Sequence, residues 1–313
     1  MSKSLVESRA IADDYVDPLG ATMHGMLNHP AFDHAASHYL THILIWRRQM
    51  GVFNRVATTS GLHTMGYVLF LYFANTTGNP ENGATYSRLL DICEQRGNCG
   101  SRALRTTLIL AQVMGYLQSS RGRADRRIQI FTPSEKLIAQ SRQQFTLPLA
   151  CLDKLVPGAG LSAAAASDPA FLPKVFTTAG KAFLDQRLEI TEFFPDLHAL
   201  MQFQGGCPAI LSISNSVVHE RAIQSSTAIG KEFHVSAAQV RAVLKAAADR
   251  GLVTLSERGQ VVHAAPLVAK QKAMIARELA LYAKFSFGLE EYFCGFRTAG
   301  GGLQDVADRK SVV

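Results

Sequence analysis

The chain lacks the short signatures of common catalytic sites. It has no Walker phosphate loop, no Gly-x-Gly-x-x-Gly after a strand pattern, no His-Glu-x-x-His, no Gly-x-Ser-x-Gly and no Cys-x-x-Cys. An enzyme would need a site assembled at long range, so catalysis is not expected. Cysteine is sparse and odd in number. The five residues Cys93, Cys99, Cys151, Cys207 and Cys294 are scattered and read as reduced thiols in a cytoplasm, not as a disulfide framework. The longest apolar run, Met65 to Ala74, is too short to cross a bilayer and reads as a buried helix. The opening Met1-Ser2-Lys3-Ser4-Leu5 leads into Glu7, Arg9, Asp13 and Asp14, which is not a secretory pattern. Acid is the minority charge, 25 Asp and Glu against 32 Lys and Arg, and the net charge of +7 makes a polyanion the expected partner. The 313 residues, 47% of them hydrophobic, supply cores for two ordinary domains.

What is present is a helix pattern followed by a hairpin pattern, twice. Leu104, Thr107, Leu108 and Ala111 fall at i, i+3, i+4 and i+7, one apolar stripe of a helix, and leave Arg102, Arg105 and Thr106 on the free face. Val240, Val243, Leu244 and Ala247 repeat the stripe, with Ala238, Arg241, Ala242 and Lys245 opposite. Aligning the glycines that close the two helices gives an offset of 251 − 115 = 136, which also carries Arg105 onto Arg241 and Leu104 onto Val240. After each helix the period shortens toward 2. Tyr116 to Ser119 and Arg127 to Thr132 read as strands joined by a turn rich in Arg121, Arg123 and Arg126. The second hairpin is shorter, turns through Glu257-Arg258-Gly259-Gln260, and is expected to bind more weakly or to serve another purpose.

Helix, turn, helix and two-stranded hairpin is the winged helix-turn-helix pattern. The stretch Asp125-Arg126-Arg127-Ile128-Gln129-Ile130-Phe131-Thr132-Pro133 resembles the wing of MarR-family transcriptional regulators. The resemblance covers about residues 61 to 145, with an echo from about 205 to 285. It implies that Thr132 caps the next helix, with Pro133 at its first position and Glu135 completing a capping box. MarR proteins normally carry one such unit and dimerise, so a chain with two departs from the pattern.

The expected organisation is an N-terminal arm and helical scaffold over residues 1–60, with a long helix from about Phe32 to Arg55. A first winged unit with its following helix spans 61–155, a linker with helices 156–204, a second winged unit with a C-terminal helix 205–296, and a frayed tail 297–313. Residues 1–28 read as a patternless arm, and Pro157 to Gly160 with Ala163 to Pro169 as the clearest linker. Flanking helices would hold the two units as a single-chain pseudo-dimer, about one turn of DNA apart. Alternatively, the second unit is a relic or a protein-docking module.

Other constellations carry two readings each. His34, His38 and His42 lie at i, i+4 and i+8 on one helix side, where they would hold a zinc ion or form a polar, hydrogen-bonding face. Cys93 and Cys99 bracket the turn before the first recognition helix, as redox sensors or as buried thiols. Trp46 would line an effector pocket or fill core, and Arg47-Arg48 reads as a solvated face.

The expected fold is mainly α with small β-hairpin wings, as tandem winged helix-turn-helix units on a helical scaffold. The implied function is a bacterial-type, cytoplasmic, nucleoid-associated regulator of transcription. Its expected partners are double-stranded DNA, a small-molecule effector and a second copy of the chain, with no membrane. Arg102, Arg105 and Thr106 would read the major groove, while Arg121, Arg123, Arg126 and Arg127 would reach phosphates or the minor groove. Arg241, Lys245 and Arg258, with Ser236 and Gln239, would add contacts from the second unit. A plasmid-type replication initiator, with tandem winged helices on direct repeats, and a winged-helix protein-interaction scaffold remain as alternatives.

Overall fold

The computed structural model describes residues 17–55, 58–75, 82–97, 99–122, 126–185 and 190–294, and they are mainly helical. Helices α1 (Gly20–Leu27) and α2 (Phe32–Gln49) come first, followed by a 3-10 turn over Gly51–Arg55. On α2, Phe32, Ala35, Ala36, Tyr39, Leu40, Ile43, Leu44 and Trp46 are buried, a stripe of threes and fours that lets the helix serve as a central strut.

The first unit consists of α3 (Thr59–Ala74), β1 (Ala84–Thr85), α4 (Tyr86–Arg96), α5 (Ser101–Val113), β2 (Leu117–Arg121) and β3 (Gln129–Pro133). Its three antiparallel strands lie in the order β1-β3-β2. Then come α6 (Glu135–Leu155), α7 (Leu161–Ser167), α8 (Phe171–Asp185) and α9 (Pro195–Met201). The second unit is α10 (Gly206–Val218), α11 (Ser226–Glu232), α12 (Ala237–Asp249), β4 (Thr254–Leu255) and β5 (Val261–His263), closed by α13 (Ala265–Phe285) and α14 (Glu290–Cys294). Around α2 pack α6, α10 and α13, while α13 also carries α1, α8 and α14. No helix among the described residues is long and apolar enough to cross a membrane.

The offset of 136 holds at the level of hydrogen bonds. Gly115 (φ 72°) and Gly251 (φ 68°) both end their helices in the left-handed region, where a side chain would be strained. Tyr116 N–H donates to Ala111 O at 2.8 Å, and Leu252 N–H donates to Ala247 O at 2.9 Å. Gly115 and Gly251 donate to Gln112 O and Ala248 O, both at 2.9 Å. The second unit has only the β4–β5 pair among its described residues, with an irregular register.

Four expectations are corrected. The helix after the first hairpin is capped by Ser134, not Thr132: Pro133 still pairs with Leu117 in the ladder, so the helix starts two residues later, and Ser134 Oγ accepts from Leu137 N at 3.3 Å. Much of the expected linker is α7, because Asp153 accepts hydrogen bonds from Leu161 N and Ser162 N at its first turn, at 2.6 and 2.9 Å. Within the expected arm, α1 is packed against α13 and α14 so closely that a Cβ on Gly25 would strike the Phe293 carbonyl. Arg47 is buried among α2's neighbours, whereas Arg48 is exposed and pairs with Glu232 at 2.5 Å. The expected tail at 297–313 lies outside the described residues, as does most of the arm.

Candidate nucleic-acid interface

Burial of Leu104, Thr107, Leu108 and Ala111 turns the opposite face of α5 outward, and Arg102, Arg105 and Thr106 are all exposed. Thr106 Oγ1 donates to Arg102 O at 3.0 Å, and the Arg105 guanidinium lies over the Tyr86 ring, 5.8 Å from its centre. Arg121 ends β2, and Arg126 and Arg127 stand in the connecting turn, all three exposed. Arg123 lies outside the described residues. Among the described residues, Arg102, Arg105, Arg121 and Arg126 form no ion pair with an acid, so their charge is available to an outside anion. Helix and hairpin are tied together: Gln112 Nε2 and Gln129 Nε2 both donate to Ser119 Oγ, at 2.8 and 3.0 Å.

The second unit offers less. Arg241 and Lys245 are exposed on α12, beside the uncharged Ala238 and Ala242. Lys245 is paired with Asp249 at 3.1 Å along the same face. Ser236 and Gln239 form the capping box of α12, and Gln239 Nε2 also donates to Gln204, so these two side chains are occupied in starting the helix. Arg258 is exposed in the short turn beside Glu257.

Gln204, not singled out by sequence, joins the two surfaces. It accepts from Gln239 on the first turn of α12 and, with Arg102 and Thr106, lines a cleft of about 580 Å³ at the start of α5. Ser60 at the start of α3 donates to the neighbouring Gln202 at 3.0 Å. Gln204 therefore links the first turn of α12 to the cleft at the start of α5.

A second cavity, of about 300 Å³, lies between the units. Its walls come from α2 (Tyr39, Trp46), α3 (Gly66, Phe70), α6 (Gln140, Phe145), α8 (Phe176), α10 (Leu211) and α13 (Glu278, Tyr282). Trp46 is both core and cavity wall. Glu278 accepts a 2.6 Å hydrogen bond from the Tyr39 hydroxyl, and burial pushes its carboxyl up to about 7 despite that bond. A signal for it existed in the sequence. Gln271, Ile275, Glu278 and Tyr282 step by four, three and four, which places an acid on the inward stripe of α13.

Among the described residues, no group of three or more His, Cys, Asp or Glu is placed to hold a metal ion, against the zinc reading of His34, His38 and His42. The His38 and His42 rings lie 3.8 Å apart, and His42 Nδ1 is bonded to His38 O at 2.8 Å. Burial, then the His42 ring and the Lys154 cation, lower the His38 imidazole to about 4. Cys93 is buried and Cys99 is partly exposed. Their mutual hydrogen bond lowers the Cys99 thiol to about 7 and pushes Cys93 up. Comparison with protein-family models, with curated proteins and with solved structures finds no match to the chain.

Proposed function

We propose that the chain is a double-stranded-DNA-binding transcriptional regulator. Its contact surface is α5 with the β2–β3 hairpin, extended by the exposed edge of α12. The carrying observation is the set of exposed arginines without acidic partners among the described residues, Arg102, Arg105, Arg121 and Arg126, on a helix and hairpin tied at Ser119. The order helix, strand, helix, helix, hairpin is that of a winged helix-turn-helix, in keeping with the MarR resemblance. A major groove about 12 Å wide admits a helix, and the N-terminal half of that helix is the part that reaches base edges. Arg102, Arg105 and Thr106 stand there; Arg121, Arg126 and Arg127 are left for phosphates and the minor groove. The second unit makes the lesser contact, through Arg241 and Arg258, because Lys245 is paired and the capping residues are engaged. Gln204 links the cleft at the start of α5 to the first turn of α12, which supports a footprint shared by the two units.

The test is anisotropy titration against fragments selected from genomic DNA by the purified protein. Arg105→Ala should narrow the ratio of specific to non-specific affinity. Arg126→Ala should weaken binding to every sequence and reduce the slope of log affinity against log salt by about 1. If both variants bind as the parent does, the assignment is rejected. Selected fragments built of direct repeats from an origin of replication would move the reading to an initiator.

A further inference from the structure

We propose that the cavity between the two units is a receptor site for a compact apolar molecule carrying one basic nitrogen, seated with that nitrogen against the Glu278 carboxylate. Its volume of about 300 Å³ stands at the lower end of small-molecule sites and suits a ligand of two or three fused rings. The walls are dominated by aromatic and aliphatic groups, among them Trp46, Phe70, Phe145 and Phe176. The carboxylate of Glu278 is the acid among them. It accepts a single hydrogen bond, from Tyr39, and forms no ion pair among the described residues. A carboxylate held among apolar walls without a cation is costly, and an incoming ammonium offsets that cost where water is scarce. Arg47, the cation in the same wall, donates to Cys207 Sγ at 2.9 Å.

The site also explains how a ligand would be sensed. Its walls belong to α3 and α6 beside the first hairpin, to the scaffold helix α2, and to α10 and α13 of the second unit. An occupant touches all three bodies and biases their arrangement in proportion to its difference in affinity between arrangements. This regulatory consequence rests on the DNA-binding reading; occupation of the cavity does not.

Trp46 is the chain's single tryptophan and lines the cavity, so its emission reports occupancy directly. The probes are 1-adamantanamine, 1-adamantanol and 1-adamantanecarboxylate, one hydrocarbon cage with three head groups, titrated into the full-length protein. The amine should change Trp46 emission saturably at pH 8, at least tenfold more tightly than the alcohol or the carboxylate. With Glu278 titrating at about 7, its affinity should fall about tenfold at pH 6. The groups facing Glu278 are Tyr39 on α2, Tyr282 on α13 and Cys151 on α6, all held neutral over this range by burial. Arg47 and, on α3, His63 share the cavity, and the pH arm is repeated in His63→Gln.

Glu278→Gln, which keeps an acceptor for Tyr39, should weaken the amine at least tenfold and leave the alcohol unchanged. Gly66→Leu should weaken all three probes, because a side chain there enters open space. The inference is overturned if no probe saturates, if the carboxylate or alcohol binds as tightly as the amine, or if Glu278→Gln retains the amine. DNA binding by a protein that ignores the amine defeats this inference alone, while amine binding by a protein that ignores DNA defeats the regulator reading alone.

Discussion

Two buried or half-buried groups titrate in opposite directions, and their effects on stability oppose one another. Glu278 is raised from an ordinary value of 4.5 to about 7, so its contribution to folding is complete below pH 4.5 and is lost as pH rises toward 7. Its full effect is on the order of 3 kcal/mol, from about 1.4 kcal/mol per pH unit of displacement. His38 is lowered from 6.5 to about 4, so its contribution is present above pH 6.5 and is lost as pH falls toward 4. In the parent the two effects oppose one another between pH 4.5 and 6.5. The variants should separate the two effects when melting is followed by differential scanning fluorimetry. The advantage of Glu278→Gln over the parent should grow from pH 5 to pH 8, and that of His38→Gln should grow from pH 8 to pH 5. A difference that stays flat for either variant would show that the site does not titrate in this range.

At the scale of elements, α3 contains a glycine in mid-helix. Gly66 has ordinary helical backbone, and a Cβ there meets nothing within 4 Å. Gly66→Ala should stabilise the protein by about 0.5–1 kcal/mol through reduced chain entropy. Thermal unfolding of the two proteins checks this, and a lower melting temperature for the alanine variant would mean that the space is not open. Elements were the most legible part of the sequence. The stripes of α5 and α12 follow from residues three and four apart, and both helices close just before the glycines expected to end them, Gly115 and Gly251. Helix α7 was hidden because its run of alanines, Ala163 to Ala166, carries no stripe, and its start depends on Asp153, a side chain eight residues before Leu161. The cap at Ser134 was missed for a similar reason. Strand pairing of Pro133 with Leu117 decides where the ladder stops, and local sequence does not reveal that partner.

Over the whole molecule, contacts between distant residues decide what sequence reading cannot reach. Arg102 and Arg105 of the candidate interface were legible because exposure follows from the free face of one helix, and Arg121 and Arg126 because they flank a hairpin turn. The cavity was not, since its walls are drawn from seven helices across the chain and Glu278 meets Tyr39 from 239 positions away in sequence. The same holds for the pair that fastens the two ends of the described chain. The Arg277 side chain is 1% exposed, binds both oxygens of Asp17 at 2.7 and 2.9 Å, and lies against the Phe193 ring. The Asp17 carboxyl is raised by burial, but hydrogen bonds led by that of Arg277 leave it below its ordinary range. Asp17→Ala would strand a buried guanidinium, and chemical denaturation should register a loss of about 3–5 kcal/mol. A loss below 1 kcal/mol would show that Arg277 finds another partner.

This clasp also sets an order of events during biosynthesis. Asp17 leaves the ribosome 260 residues before Arg277, and at about 5–20 residues per second that interval lasts roughly 13 to 52 seconds. Throughout it, α1 has neither α13 nor α14 to cover its apolar side, so the first of the described helices to be translated is among the last to dock. Nascent chains stalled before residue 265 should accordingly expose α1 to protease and to chaperones, and release of the finished C-terminal helices should close that window.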